Sequence, residues 1–334
     1  MRVVRAKEFG GPEVLELTEA PDPVPASGEV VVDVAAAEVL LLDVQLRKGW
    51  GQDYFTLNPP YVPGAGVAGV VSGVGAGVDT TWIGSRVAAP LSVAGEYAGG
   101  GYAEKAVVDV DHLVPVPDNV ELVESVTALS DGVMGVSRIE RARIGPGDVV
   151  LITAAAGGIA VWLIPEAVRA GARVIAAAGG EAKLRAAADL GAHVTVDYTR
   201  PDWVDQVRVA LAGETLAVVF DGSGGAVGEA AMRFTGAGTR YFAYGSAGGE
   251  FADIEGEARR RGVELFGFDE DFELRDQRRW RRTAFTWLSE GRITPLIGQV
   301  VPLSQAAQAH TAIEARKVVG KTVLVPDAAP PRPR

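Results

Sequence analysis

Apolar positions change rhythm once along this chain. Up to about residue 120 they come in short runs broken by Gly and Pro: "EVVVDVAA", "GVAGVVSGVG", "SRVAAPL", "YAEKAVVD" and "HLVPVP". Runs of that length with turn residues between them predict a mostly antiparallel β-domain. From about residue 121, apolar strands alternate with helical stretches: "DVVLITAA", "ARVIAAAG", "HVTVDY", "LAVVFDGS", "TRYFAYGS" and "VELFGF". That alternation predicts an α/β fold with a doubly wound parallel sheet, in which the strands that begin at Val149 and Val174 lie side by side. Beyond about residue 270 a helix, "RRWRRTAFTWLSEG", leads into a β–α–β stretch that ends at "KTVLVP". The expected organisation is therefore residues 1–120 completed by 270–325, with 121–269 as the second domain. The Pro-rich end, 326–334, reads as a disordered tail.

Size and charge narrow the function. A chain of 334 residues is too long for one ordinary core. Its net charge of −11 argues against nucleic acid or an anionic membrane as partner. The clusters Arg259–Arg261 and Arg278–Arg282 are flanked by acids and read as solvated helix faces. With no cysteine, thiol chemistry and thiolate metal sites are excluded, and His112, His193 and His310 lie far apart, so no metal is expected. His310 reads as a helix-surface residue. "MRVVRAKEFGG" lacks an apolar signal core and no long apolar span occurs, so a cytoplasmic protein is expected.

The chemistry concentrates in "LITAAAGGIAVW", a strand entering a glycine turn and then a helix. Glycines at such a turn let the backbone approach a pyrophosphate, and the helix N-terminus supplies N–H donors. Gly157 and Gly158 fit. Ala160 stands where a third glycine permits close helix–strand packing. Pro165 falls inside the helix, and Trp162 is bulky for a helix start that faces a cofactor. The next strand ends at Ala178-Gly179-Gly180 without the carboxylate that binds a ribose 2′-hydroxyl, and Lys183 follows. That combination favours NADPH over NADH.

The stretches "KEFGGPEVLEL", "DVQLRKG", "YVPGAGVAGVV", "ERARIGPGDVVLITAAAGG", "SEGRITPLIG" and "IEARKVVGKTVL" occur in the order of a known family. Over residues 1–325 the chain resembles the zinc-independent quinone oxidoreductase branch of the medium-chain dehydrogenase/reductase superfamily. The resemblance implies a GroES-like β-domain beside a Rossmann domain, with a substrate cleft between them. It implies NADPH, hydride delivery to the β-carbon of a quinone, enone or enoyl thioester, and a homodimer. It assigns Gly157 and Gly158 to the pyrophosphate, and Lys183 and Tyr198 to the 2′-phosphate. Gly222, Gly245 and Phe268 go to the nicotinamide side, and Tyr54 to the substrate.

Departures from the family pattern gather in one region. Where the pattern reads "AAGVNPxD" the chain has "AAEVLLLD", so Glu38 replaces a glycine and Leu40 an asparagine. Gly66 replaces an acid in "PGxExAG". Val133 falls where a threonine is usual, and Asp131 replaces a nearby glycine. Ala160 and Leu40 together predict weakened NADPH binding. Two functions follow. One is reduction of an activated C=C bond or quinone, with Tyr54 donating to the developing oxyanion and Leu40, Trp50, Tyr54 and Val133 on the substrate side. The other is a non-redox cyclase or isomerase of a specialised metabolite that uses Asp131 and Glu38 as acid and base. The loops "WGQDYFTLN" and "SVAGEYAGGGY" suit an apolar, planar small molecule.

Overall fold

The computed structural model describes residues 1–52, 56–91, 100–267 and 274–327. The chain divides into two units, residues 1–130 with 284–334 and residues 131–283.

The first unit begins with β1 (Arg2–Ala6), β2 (Leu15–Glu19), β3 (Glu29–Val39), α1 (Leu41–Arg47), β4 (Gly66–Val74), β5 (Arg86–Pro90), β6 (Lys105–Asp109), β7 (Val114–Pro115) and α2 (Leu122–Ser125). The second contains α3 (Asp131–Ala142), β8 (Val149–Thr153), α4 (Ala160–Arg169), β9 (Arg173–Ala178), α5 (Glu181–Asp189) and β10 (Val194–Asp197). It continues through α6 (Trp203–Leu211), β11 (Val218–Asp221), α7 (Gly225–Met232), β12 (Arg240–Ala243), α8 (Glu255–Arg261), β13 (Glu264–Phe266) and α9 (Leu274–Ser289). The chain ends in β14 (Ile297–Pro302), α10 (Ala306–Glu314) and β15 (Lys321–Val325).

In the first unit, β3 is the central strand. The sheet order is β14-β15-β3-β4-β5-β7, with β6 also on β3. Register shifts near Val31/Val32 and Val34/Ala36 let one long strand serve several partners: β6 along Glu29–Asp33 and β15 along Ala37–Val39. Such irregularities bend a strand and strengthen its twist. β14 and β15 pair in parallel with α10 between them, so the C-terminal β–α–β returns to the first unit as its pattern predicts.

The second unit is a six-stranded parallel sheet in the order β10-β9-β8-β11-β12-β13. β8 and β9 are adjacent and parallel, with Val150 opposite Val174. β8 is buried along its whole length because helices cover both faces of the sheet. Val150, Ile152, Leu163, Phe220 and Phe242 fill one side, and Val149, Leu151, Trp203, Val219 and Tyr241 the other. Reversal of the strand order falls between β8 and β11, the place where doubly wound sheets bind ligands beyond their strand C-termini.

The boundaries differ from expectation by about a helix at each junction. Residues 121–130 stay with the first unit because α2 packs on β3, β4 and β5. Residues 270–283 stay with the second, where Arg279 and the Trp280 indole both bond Glu140 of α3. The tail is not wholly loose: Asp327 accepts from Ser304 N–H and pairs with Arg2, and residues 328–334 lie outside those described. Arg260 and Arg261 pair with Glu257 as a solvated face would, but Arg281 is buried.

His310 also departs from expectation. It is fully buried on α10, and its Nε2 shares a 2.9 Å hydrogen bond with the Tyr102 hydroxyl. That hydroxyl lies 3.4 Å from Asp43 Oδ2, and buried Arg47 pairs with Glu314 beside them. Burial, then the Arg47 charge, lowers the His310 pKa to about 3. Burial also raises Asp43 to about 7, against the hydrogen bond it accepts from Leu40 N–H.

These shifts oppose each other in stability. Unfolding returns Asp43 to 3.8 and His310 to 6.5. As pH falls from about 7 to about 4, the folded state protonates Asp43 before the unfolded state does, which stabilises it. Over the same span the unfolded state protonates the histidine and the folded state does not, which destabilises the fold. His310→Gln removes only the second effect. Its stability by urea denaturation should therefore rise, relative to wild type, by about 3 kcal/mol between pH 7 and pH 4. Parallel profiles for the two proteins would sink this account.

Candidate active site

The site residues of the second unit collect at the C-terminal ends of β8, β11 and β12. Backbones meet there with no room for side chains. A Cβ on Gly245 would lie 2.0 Å from the Gly222 carbonyl oxygen, and one on Gly222 would press Ala154 and the Tyr244 hydroxyl. Only glycine fits such an approach. The structure therefore brings Gly222 and Gly245 together and places them beside the end of β8.

A buried carboxylate ties these ends to one another. Asp221 Oδ1 accepts from the Thr153 hydroxyl at 2.6 Å and from Ser223 and Gly224 N–H at 3.1 Å each. Its Oδ2 accepts from the Tyr241 hydroxyl at 3.1 Å. Burial raises the Asp221 pKa, and the bonds from Thr153 and the two amides oppose that shift. Sequence reasoning passed over this residue, although an Asp between a buried strand and "GSGG" was the available signal. Arg138 was missed too. It is buried on α3 with its guanidinium carbon 4.8 Å from the Tyr244 ring centroid, so a cation lies under the floor of the site.

The glycine turn occupies residues between β8 and α4. Gly157 N–H bonds back to the Ala154 carbonyl at 2.9 Å, and Ala154 takes a φ of +50°. Gly158 faces Asp131: a Cβ there would stand 2.0 Å from Oδ2 and 2.6 Å from Cγ of that side chain. Ala160, by contrast, is absorbed. Its methyl is buried in the cluster that includes Ile152, Ala155 and Leu163, so it fills core and does not line the turn. Trp162 does not face the turn either. It is buried against α3, where a Cβ on Gly135 would come within 2.3 Å of its own Cβ. Pro165 sits within α4, which runs from Ala160 to Arg169. Val133 is buried in the first turn of α3.

At the end of β9, Gly179 abuts Tyr198, whose ring a Cβ would meet at 3.3 Å. Gly180 takes a φ of +87° and opens α5, which carries the half-buried Lys183 in its first turn. A carboxylate missed in the sequence stands nearby. Asp197, opposite Ala178 in the sheet, accepts from Thr199 N–H at 2.9 Å and from Gly180 N–H. The Thr199 hydroxyl and these amides hold it below the usual carboxylate range.

In the first unit, Glu38 is not an accessible acid. It is fully buried, with Oε1 accepting from the Ser130 hydroxyl at 2.6 Å and Oε2 paired to buried Lys321 at 2.9 Å. Leu40 and Trp50 are half-buried at the two ends of α1. Tyr54 and Phe268 lie outside the described residues. No group of three or more His, Asp or Glu among the described residues could hold a metal ion.

Glu38 and Gly66 turn out to be one change. A Cβ on Gly66 would lie 2.6 Å from Glu38 Oε1, one residue along from the Ala37–Val67 pair of β3 and β4. The family pattern sets an acid at 66 and a glycine at 38, and here the carboxylate reaches the same spot from the neighbouring strand. Glu38→Gly should cost about 3–5 kcal/mol by leaving the Lys321 ammonium buried and unpaired. Adding Gly66→Glu should recover part of that loss in chemical denaturation. A double variant no more stable than the single one would show that the two positions do not share a role.

Comparison with known proteins agrees with this architecture. Residues 26–118 match the family model of the alcohol dehydrogenase GroES-like domain, and residues 190–324 that of zinc-binding dehydrogenases. The chain is 31% identical over 314 residues to quinone oxidoreductase-like protein 2 of Rattus norvegicus, covering 91% of this chain and 87% of that one. It is 28% identical over 334 residues to a 2-haloacrylate reductase of Burkholderia sp, covering 96% and 97%. A mycobacterial protein solved in complex with NADPH superposes with a TM-score of 0.84 at 27% identity, covering 98% and 100%. The chain belongs to the quinone oxidoreductase branch of the medium-chain dehydrogenase/reductase superfamily.

Proposed function

We propose that this protein is an NADPH-dependent reductase of an activated C=C bond or a quinone. The observation that carries the proposal is the glycine-built edge of the parallel sheet. Gly157 and Gly158 precede α4, while Gly222 and Gly245 bring the ends of β11 and β12 together beside it. A flat aromatic ring needs a floor without side chains, and Gly222 with Gly245 provides one. Phosphates need exposed N–H groups, which the turn into α4 offers. In this reading Lys183, in the first turn of α5, holds the 2′-phosphate, and Tyr198 packs on Gly179 at the end of β9. We assign the choice between cofactors to Lys183, while Asp197 Oδ1 accepts from Thr199.

Bound NADPH would supply a hydride for the β-carbon of the acceptor, and a proton from solvent would complete the α-carbon. The remaining tasks fall to this chain. Asp221 fixes the strand ends, and Leu40, Trp50, Tyr54 and Val133 are proposed to shape an apolar substrate side. Tyr54 is the proposed donor to the oxygen that gains charge. The non-redox alternative drew on Glu38 and Asp131, and burial of Glu38 in its pair with Lys321 weighs against it. A homodimer is part of the proposal, supported by β13, which pairs only β12 among the described residues.

Two measurements test this. NADPH consumption should depend on an added quinone or enone, and NADPH that binds without ever being consumed by either class would overturn the reductase proposal. Lys183→Ala should raise the NADPH dissociation constant about tenfold, the loss of one charge-assisted contact, and leave NADH nearly unchanged. Equal losses for the two cofactors would remove Lys183 from that role.

A further inference from the structure

We propose that Arg47, Tyr61 and His310 bind a small monovalent anion of the halide class, such as chloride, in the interior of the first unit. This goes beyond the NADPH reading and does not rest on it. The three residues, with Asp43, Tyr102 and Glu314 around them, all belong to the first unit. The frame is α1 packed on α10. Asp43 and Arg47 stand one turn apart on α1, and His310 and Glu314 one turn apart on α10. Arg47 pairs with Glu314, and the Tyr102 hydroxyl spans from His310 to Asp43, so the helices are tied at both turns. Arg47 acts on both remaining members: its charge helps lower His310, and it opposes the rise that burial and Asp43 impose on the Tyr61 phenol.

Around this frame, buried polar atoms stand without a hydrogen-bond partner among the described residues: Arg47 Nε and Nη1, the Tyr61 hydroxyl and His310 Nδ1. Arg47 and His310 are fully buried and Tyr61 is 7% exposed. Unpaired polar groups in an interior are costly, so this set asks for a ligand. All four can donate. Arginine has no acceptor at all. His310 is neutral, lowered to about 3 first by burial, so one ring nitrogen carries its proton. Tyr102 has one proton to give, and Nε2 at 2.9 Å is nearer than Asp43 Oδ2 at 3.4 Å. Nε2 therefore accepts, and Nδ1 is the donor. A water here would bring two protons of its own, with only the Tyr61 oxygen left to accept. A halide brings none. Charge agrees with this choice. Arg47 and Lys48 share the one Glu314 carboxylate, which leaves a positive charge over. Asp43, the other acid at these turns, accepts from Leu40 N–H and is raised by burial to about 7, toward its neutral form.

Two measurements on the full chain test the site. Crystals soaked in sodium bromide should show an anomalous peak in contact with Arg47 and His310. Thermal melting should compare sodium chloride with sodium gluconate, whose anion is too large to enter, at equal ionic strength. Wild type should melt higher in chloride, and the gain should saturate. Tyr61→Phe should need about tenfold more chloride for half of that gain, the loss of one hydrogen bond to a charged group. In gluconate the same variant should melt no lower than wild type, because the hydroxyl it lacks had no partner. Arg47→Lys keeps the charge but loses two of the donors, and should lose the chloride effect; if it does not fold, Tyr61→Phe carries the test. A crystal without the bromide peak, or with a water molecule in that place, overturns the proposal. An equal chloride response in wild type and Tyr61→Phe overturns it too, since chloride would then act elsewhere. None of these results bears on the NADPH reading.

Discussion

Everything at the candidate site depends on main chain approaching main chain at the ends of β8, β11 and β12. Gly222 and Gly245 stand so close that a single methyl between them would overlap the carbonyl of the other strand. Close approach exposes peptide groups that need partners, and Asp221 supplies them by collecting Thr153, Ser223, Gly224 and Tyr241 on one carboxylate. Buried polar groups must be paired, so the glycines and the aspartate require each other. A flat, side-chain-free ledge is the by-product, and the proposed chemistry uses that ledge.

Charge placement follows a different rule. Glu38, Lys321 and Ser130 form a buried cluster in which each member is costly alone and tolerable together. Such a cluster constrains where the carboxylate is and not which strand delivers it. Departures at 38 and 66 therefore count as one event, and they say little about the cofactor. The case for an eroded site also weakens at Ala160, whose methyl is taken up by the core, and at Trp162, which faces α3.

Much of this was legible in the sequence, and the reason is periodicity. Alternation of apolar strands with helices announced the parallel sheet, short apolar runs broken by Gly and Pro announced the antiparallel one, and the adjacency of β8 and β9 followed. Glycines before helices marked the turn. What stayed hidden was anything set by partners distant in sequence. His310 looked like a helix-surface residue because its partner, Tyr102, is some two hundred positions away. Glu38 looked like a free acid because Lys321 lies at the other end of the chain. Asp197 was passed over because only the sheet register sets it opposite Ala178. Boundaries slipped for the same reason, since Glu140 holds Arg279 and Trp280 across a long span.

Two acids that look alike in the sequence therefore part company in the structure. Glu38 arrives with a cation and a hydroxyl already in place, and the loss of an acid at 66 balances its gain. Asp131 is buried at the start of α3 and faces Gly158 of the glycine turn. A substitution that preserves a buried charge leaves a fold's chemistry where it was.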